Sequence, residues 1–376
     1  MGKVLGAVGA LIVLGALLFF GFQAKRNTAL HQEAARNAPN AKDLPLVTVR
    51  LKVGGEKMGG LKDPDVVRIL LDDYHLQLAP EKEGSVEMVQ EPTSGYDAVW
   101  PASEFCKQIF EEHARGAGLS GYRSAEIFSS PLVVMSWPLI TEALERHGIV
   151  RLQDSTYYIA DMPALLKLIE DRTRWRDFDP GLAMIYGGIT IKSTDPARSN
   201  SGSMFMGLLA NLMNGGEPCP PDQIEKYLPR LKSISTHMGL KETSSGDIFE
   251  HFMSQGVGAY PLMVVYENQF LEALAQRADN LRSQVRVLYP QPTVWATHPF
   301  LSLTPNGRRL MDALQDSRVQ RILWEQHGFR SATAGAMSDS RPFKLHSVPQ
   351  QIVSAMPAPE WAVMERITEV LTSNRP

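Results

Sequence analysis

Short strands alternate with helices along the chain from residue 46 onward, and this order limits the possible folds more than any other feature. Residues 46–53 alternate apolar and polar side chains as a half-exposed strand does, and a helix with Asp63 as its N-cap follows. The pattern then repeats with strands at 76–80 and 96–100 and a helix between them. Alternation of this kind predicts an α/β fold.

The length of the chain and three apolar runs indicate two lobes. A chain of 376 residues exceeds what one small hydrophobic core usually holds. The runs at 131–135, 184–191 and 260–266 are bounded by Gly or Pro and rich in β-branched residues, which is typical of strands covered on both faces. Helices are predicted between and after them, among them 245–255 and 306–327. We therefore expect two α/β lobes.

Composition excludes several classes of function. Hydrophobic residues make up 44% and charged residues 21%, which excludes a disordered chain and a polytopic membrane protein. A net charge of -3 with dispersed Lys and Arg leaves no basic stripe, so no nucleic-acid partner is expected. Cys106 and Cys219 form no disulfide framework, and the nine histidines show no metal-ligand spacing. With no G-x-S-x-G motif either, the sequence predicts no catalytic residue, metal or cofactor.

An uncharged apolar run lies near the N-terminus. Residues 4–22 contain no charged side chain over about 19 positions, roughly the length that crosses a hydrocarbon core as a helix. Three bulky phenylalanines at its end are unlike a signal-peptide cleavage site. We therefore expect an uncleaved, single-pass transmembrane anchor at residues 1–25 and a polar tether at 26–45. The flanking charges are balanced, so they do not determine the orientation.

Four loops rich in Gly and Ser follow predicted strands and open helices. Free backbone N–H groups at a helix N-terminus, beside a Ser hydroxyl, form a ready site for an anion or a carboxylate. The alternative is that each Ser or Asn caps only its own helix. In an open α/β sheet, however, such loops gather at the carboxyl ends of the strands, where the crevice lies. The four loops are residues 54–56, 84–85, 101–103 and 200–203.

The order of these elements resembles a known family. Residues 194–196 with the loop and helix at 200–213 are similar to the second lobe of type II periplasmic solute-binding proteins, especially the molybdate and sulfate group. Residues 245–267 resemble the helix, Gly turn and returning crossover strand of that family, and residues 285–330 resemble its C-terminal return. The resemblance covers roughly residues 47–330, in matching order.

This resemblance implies a two-lobed, periplasmic-binding-protein-like α/β fold joined by two crossover strands and preceded by the transmembrane helix. Lobe 1 is expected at residues 46–135 and 268–345, and lobe 2 at residues 136–267. Residues 346–376 are expected to form a C-terminal extension whose final helix packs on one lobe.

The resemblance also implies a ligand site between the lobes, where backbone N–H groups and hydroxyls donate to a small polar ligand. The implied residues are Gly55, Glu56, Ser85, Ser103, Ser201, Gly202, Ser203 and Tyr266. Two acidic residues depart from the pattern of small-oxyanion binders: Glu56 after the first strand, and Glu87 one turn beyond Ser85. An inward carboxylate would repel an oxyanion, unless these residues face solvent or pair with Lys57 and Lys62.

The function that the resemblance implies is capture of a small polar ligand by hinge closure, on the extracytoplasmic side of a membrane, for a transporter or a membrane complex. Two alternatives remain open at this point. One is an interaction module of a membrane complex that keeps the fold with an empty cleft. The other is a hydrolase or transferase that works in the same cleft.

Overall fold

The computed structural model describes residues 44–239, 241–331, 343, 348–350, 352 and 354–373, apart from the side chains of residues 277–280 and 282–283. The predicted anchor at 1–25 lies outside these residues, and so does nearly all of the predicted tether at 26–45. Within the described ranges, no helix combines the length and the apolar character needed to cross a membrane.

The first part of the chain begins with the predicted strand–helix alternation. The elements are β1 (Val47–Val53), α1 (Met58–Lys62), α2 (Pro64–Tyr74), β2 (Leu76–Lys82), α3 (Glu87–Gln90), β3 (Ala98–Trp100), α4 (Glu104–Gly116), β4 (Arg123–Glu126), β5 (Phe128–Ser136), α5 (Pro138–Arg146), β6 (Val150–Gln153), β7 (Thr156–Ile159), α6 (Met162–Glu170) and α7 (Trp175–Phe178). Short 3-10 turns at Gly55–Lys57 and Pro180–Leu182 follow β1 and α7. Asp63 caps α2 as predicted, since its carboxylate accepts the N–H groups of Asp65 and Val66.

The second part of the chain is richer in long helices. Its elements are α8 (Asn200–Met213), α9 (Ile224–His237), α10 (Ser245–Gln255), β8 (Leu262–Tyr266), α11 (Glu267–Gln284), β9 (Arg286–Pro290), β10 (Trp295–Ala296), β11 (Pro299–Ser302), α12 (Pro305–Leu314), α13 (Ser317–Glu325), β12 (Arg330–Ser331) and α14 (Trp361–Thr372).

A five-stranded sheet in the order β2-β1-β3-β11-β4 forms the centre of lobe 1. Strand β1 pairs in parallel with β2 and β3, with Val47 opposite Leu76 and Leu51 opposite Ala98. Strand β11 runs antiparallel between β3 and β4. Because β1, β2 and β3 are parallel, the loops that follow them meet at one edge of the sheet.

A mixed sheet in the order β10-β5-β9-β7-β6 forms the centre of lobe 2, and β8 and β12 also pair with β5. The second half of β5 lies between β8 and β9, so that Val134 is opposite both Val264 and Leu288. An isolated parallel bridge from Lys192 to Met263 extends this sheet beyond β8. The fold is therefore α/β with two sheets, as the sequence predicted.

The chain passes between the sheets along β5 and returns along the segment 291–298. The first half of β5 pairs with β10 of the return segment, with Pro131 opposite Trp295. Residues 259–267, predicted as the returning crossover strand, instead contain β8, which pairs with β5, and the later β9 still belongs to the second sheet. Strand pairing therefore puts β9, up to Pro290, in the second sheet, although it follows residue 267. A buried apolar strand has the same sequence pattern in either position, so only its pairing locates it.

The C-terminal extension contacts both lobes. Helix α14 packs against α8 and α9 of lobe 2, and the ring of Trp361 stacks on Phe105 of α4 in lobe 1, with centroids 6.3 Å apart. Before this helix, the extension hydrogen-bonds to the return segment, since the N–H of Met356 donates to the carbonyl of Thr293 over 2.8 Å. The prediction that the final helix packs on one lobe was therefore incomplete.

Candidate functional site

A cavity of about 220 Å³ lies between the two lobes, at the carboxyl ends of β1 and β2 and the N-termini of α8 and α10. It is smaller than the ~300–1,000 Å³ pockets that hold drug-sized ligands. Apart from three glycines and one tyrosine, every lining residue has a charged or small polar side chain. The lining residues are Gly54, Gly55, Glu56, Lys82, Glu83, Gly84, Ser85, Glu87, Arg198, Ser199, Asn200, Thr243, Ser244, Ser245, Asp247 and Tyr266.

Two ion pairs join the opposite walls of this cavity. Lys82 at the end of β2 lies 4.0 Å from Asp247 in the first turn of α10. Arg198, before α8, lies 3.5 Å from Glu87 of α3. The four side chains are about half exposed, so each pair contributes only about 0–1 kcal/mol to stability. Their position matters more than their strength, because each pair links lobe 1 to lobe 2 across the cavity.

The lobe 1 wall carries two carboxylates with lysines behind them. The ammonium of Lys57 contacts Glu56 at 2.5 Å, and the Lys57 side chain is only 1% exposed. Burial lowers the pKa of Lys57, and the charge of Glu56 opposes that shift. Lys52, also buried, lies 2.9 Å from Glu83 and 2.8 Å from Glu91. Neither lysine is among the lining residues, whereas Glu56 and Glu83 both are.

The floor of the cavity is formed by Tyr266 at the end of β8. Its hydroxyl accepts a hydrogen bond from the side-chain amide of Asn200 over 2.8 Å. Burial raises the pKa of Tyr266 well above its ordinary value, so the phenol is neutral. Behind it lies His298 of the return segment, whose Nδ1 is 3.6 Å from Glu56. Burial lowers the pKa of His298 well below its ordinary value, with a further contribution from Lys57.

Half of the site residues that the resemblance implies line this cavity. Gly55, Glu56 and Ser85 reach it from lobe 1 and Tyr266 reaches it from lobe 2. The other four do not line it: Ser103, Ser201, Gly202 and Ser203. Whether any of the eight binds a ligand stays a prediction.

The four residues outside the lining lie one layer behind it. Ser103 donates to the sulfur of Cys106 over 3.2 Å, and the hydroxyls of Ser201 and Thr194 are 2.8 Å apart. Ser203 donates to the carbonyl of Pro196. A side chain at Gly202 would collide with the carbonyl of Thr194, because an added Cβ would lie 2.3 Å from that oxygen. The hydroxyls of Ser201 and Ser203 thus bond the loop before α8.

The two acidic departures from the family pattern both have partners. Glu56 pairs with Lys57, as one of the open alternatives proposed. Glu87 pairs with Arg198 on the opposite lobe rather than with Lys62. Neither carboxylate is an isolated buried charge, yet both still line the cavity.

Sequence reasoning missed the wall formed by residues 243–247 and the charged residues Lys82, Glu83 and Arg198. The sequence does contain a signal for the wall at 243–247. Ser244 and Ser245 open α10, just as Gly and Ser open the helices after the four predicted loops. For Arg198 the local sequence carries no signal, since its partner Glu87 lies on a distant element.

In the part of the chain that the structure describes, no group of three or more His, Cys, Asp or Glu side chains is arranged to hold a metal ion. Burial raises the pKa of the Cys106 thiol to about 12, although Ser103 and Lys57 oppose the shift. The thiol next to the cavity is therefore protonated and poorly nucleophilic at neutral pH.

No protein-family model matches the chain, and no curated protein matches its sequence. Among solved structures, the apo ferric ion-binding protein A of Pasteurella haemolytica is similar with a TM-score of 0.55 and 11% identity, over 86% of this chain and 96% of that chain. The sulfate-binding protein SubI of Mycobacterium tuberculosis H37Rv has a TM-score of 0.53 and 12% identity, over 83% and 94%. A substrate-binding protein of an ABC transporter from Agrobacterium tumefaciens has a TM-score of 0.51 and 14% identity, over 86% and 94%.

At such low identity, this likeness shows the fold. The chain has the two-lobed α/β fold of periplasmic solute-binding proteins, as predicted. The narrower resemblance to the molybdate and sulfate group stays a prediction, because a ferric ion-binding protein and a sulfate-binding protein are similar to about the same degree.

Proposed function

We propose that this protein captures a small polar ligand in the cleft between its lobes and holds it by hinge closure. The observation that carries the proposal is the 220 Å³ cavity, which is lined from both lobes and bridged by two ion pairs between its opposite walls. A site that is completed only when two bodies meet is suited to binding and release. The three similar solved structures are those of binding proteins, which is consistent with this role.

The hinge in this proposal is the pair of crossing segments, β5 and residues 291–298. They pair as strands at Pro131 with Trp295 and at Ser130 with Ala296, and the N–H of Leu132 also donates to the carbonyl of Val294. A few residues at the ends of strands are sufficient to absorb the backbone rotation of a closing domain. The extension 354–357, bonded to Thr293, is expected to move with this hinge.

The proposal also includes a membrane tether and a membrane partner. The uncharged run at residues 4–22 has the length of a membrane-spanning helix, and a polar segment separates it from the first strand. A tether of this kind keeps the binding domain near a partner in the same membrane and raises its effective concentration there. We place the folded lobes on the extracytoplasmic side, with a transporter or membrane complex as the partner.

The test is native mass spectrometry of the freshly purified full-length protein, which we expect to retain a co-purified small molecule. Ser245→Phe fills the cavity wall and is expected to abolish retention. Ser254→Phe is the matched control, because Ser254 is exposed on the same helix α10 and should leave retention unchanged. Equal retention in both variants would rule out this cavity as the site, and no bound molecule in any preparation would favour an assembly module with an empty cleft.

A further inference from the structure

The charges around the cavity are unequal, and the imbalance is acidic. Four carboxylates and two cations line it. Both cations are already engaged, Lys82 with Asp247 and Arg198 with Glu87, in the pairs that close the cleft. The remaining lining carboxylates are Glu56 and Glu83, and both belong to lobe 1.

The lysines behind these carboxylates compensate them incompletely. Lys52 is shared, since it contacts Glu83 at 2.9 Å and Glu91 at 2.8 Å, so one ammonium serves two carboxylates. Lys57 contacts Glu56 one to one, and among the described residues both polar contacts of that carboxylate, with Lys57 and His298, involve Oε1. His298 adds no positive charge, because burial and the neighbouring Lys57 lower its pKa. In this wall three carboxylates therefore face two ammonium groups, and the third carboxylate, Glu91, is 57% exposed.

A second observation points to a ligand at this place. Ser245 lines the cavity from the opposite wall and is only 5% exposed. Its hydroxyl forms no hydrogen bond with any residue that the structure describes. Buried hydroxyls are normally hydrogen-bonded, so an open one that faces a cavity marks a position that a ligand completes.

Burial shifts the pKa values of two groups in this wall toward their neutral forms. Burial raises the pKa of Glu83, although Lys52 opposes the shift. Burial lowers the pKa of Lys57, which weakens the positive side of the Glu56 pair. A cation placed between the lobes would reverse the first shift by direct attraction.

The helix N-termini at the cavity favour anions, but more weakly. The N-terminal end of a helix carries roughly half an elementary charge. At α10 that charge is already met by Asp247 in the first turn and by the capping hydroxyl of Ser244. A carboxylate on the facing wall therefore carries a larger charge than the N-terminus of α10, and we expect the wall to have the larger effect on a ligand in the cavity.

We infer that the cleft takes a small organic cation whose ammonium group is received by the carboxylates of Glu56 and Glu83, and that it rejects oxyanions. This inference rests on the proposed function and names the ligand class of the same site. An ammonium group donates up to three hydrogen bonds, and the charged acceptors on this wall strengthen each of them. Sulfate would bring only acceptors to a wall of acceptors.

The first experiment compares three four-carbon probes that differ only in their end groups, together with sulfate. Thermal unfolding of the purified full-length protein is measured with 1,4-diaminobutane, 4-aminobutanoate, butanedioate or sulfate. We expect the two amines to raise the melting temperature, with 1,4-diaminobutane binding at least tenfold more tightly than butanedioate, and we expect no effect from butanedioate or sulfate. Stabilisation by butanedioate or sulfate without stabilisation by either amine would overturn the inference.

The second experiment removes the acceptors one at a time. Glu83→Gln and Glu56→Gln are each expected to weaken 1,4-diaminobutane binding by about tenfold or more, since each removes a charge-assisted hydrogen bond. Glu250→Gln, an exposed carboxamide substitution on α10 outside the cavity, is the control and should leave binding unchanged. Glu83→Gln decides the matter if Glu56→Gln fails to fold. Equal weakening in the control and in Glu83→Gln would show that only overall charge matters.

The two proposals fail in different ways. A co-purified anionic or uncharged molecule in the mass spectrum, lost in Ser245→Phe, would refute the cation and leave ligand capture intact. If no molecule co-purifies and none of the four probes shifts the melting temperature, both proposals fall together.

Discussion

At the scale of single residues, the closed cleft depends on a glycine. Gly84 of lobe 1 lies so close to lobe 2 that an added Cβ would be 2.6 Å from the carbonyl oxygen of Arg198. Real Cβ atoms do not approach a backbone oxygen so closely, and the oxygen belongs to the opposite wall. Closure therefore requires a residue without a side chain at this position.

Gly84→Ala is expected to weaken ligand binding at least fivefold, about 1 kcal/mol, because the methyl group holds the walls apart. Gly116→Ala is the matched control, since an added Cβ there meets nothing within 4 Å. Titration calorimetry of both variants with the co-purified molecule or 1,4-diaminobutane measures the difference. Equal affinities in the two variants would show that the lobes do not meet at Gly84 when ligand is bound.

A second residue-scale feature is the buried His327 beyond α13. Its Nδ1 lies 2.7 Å from Glu272 of α11 and its Nε2 lies 3.1 Å from Asp63 at the start of α2. Burial alone lowers the pKa of His327, but the two carboxylates outweigh that effect and the net pKa is raised. The imidazolium thus ties α11 to the helices of lobe 1.

This pair of contacts predicts a pH dependence of stability. The folded state raises the pKa of His327. The charged ring therefore contributes fully to the free energy of unfolding below about pH 6.5, and this contribution is lost as the pH rises through the folded-state pKa. In urea unfolding, the free energy of unfolding of wild type should therefore exceed that of His327→Gln at about pH 6, and the difference should shrink toward pH 9. His113→Gln, whose ring contacts the carbonyl of Val89, serves as the control for the loss of a histidine ring. If the difference in free energy of unfolding grew with pH, the positive charge assigned to His327 would be contradicted.

At the scale of elements, most helices and strands follow from local pattern. The predicted helix 245–255 matches α10, and the predicted alternating strand at 46–53 matches β1 to within one residue. The predicted helix 306–327 is two helices, because Asp316 accepts the N–H of Arg318 and caps a new helix. The apolar run 184–191 is not among the strands of the described structure, and Tyr186 within it is 90% exposed.

Helix α14 illustrates what pattern alone leaves open. Its buried residues Val363, Met364 and Ile367 recur at helical spacing, so an amphipathic helix is readable from the sequence. Spacing does not say which surface that face covers. The stacking of Trp361 on Phe105 makes the helix a brace between the lobes.

Trp361→Ala is expected to lower the free energy of unfolding by about 2 kcal/mol, less than the ~3–5 kcal/mol of a fully buried aromatic residue. Glu365→Ala on the exposed face of the same helix is the control and should stay within about 0.5 kcal/mol. Denaturant unfolding of the two variants checks this expectation. A loss in both variants alike would assign the effect to helix propensity rather than to the brace.

At the scale of the whole molecule, the two lobes meet through opposite charges at the mouth of the cavity. Exposed pairs of this kind are weak individually and are screened by salt. They are nevertheless well placed to bias a hinge, because each pair joins the two lobes across the cavity.

Arg198→Glu places like charges opposite each other at Glu87 and is expected to open the cleft. X-ray scattering should show a larger radius of gyration than for wild type at low ionic strength, and the difference should shrink in about 1 M salt, where the Debye length is about 3 Å. Arg176→Glu, an equal charge change at an exposed position away from the cavity, is the control. An unchanged radius in Arg198→Glu would mean that this pair does not bias closure.

The sequence by itself determined the α/β class, the caps and the polar loops that open the helices, because these depend on side chains within a few residues of one another. Through a resemblance of order, it also predicted four residues that line the cavity, Gly55, Glu56, Ser85 and Tyr266, and their role in binding stays a prediction. Only the tertiary structure decided that Glu87 pairs with Arg198, that β9 remains in lobe 2, and that α14 spans both lobes. Each of these joins segments far apart in the chain, and local periodicity is the same whichever distant partner a segment meets.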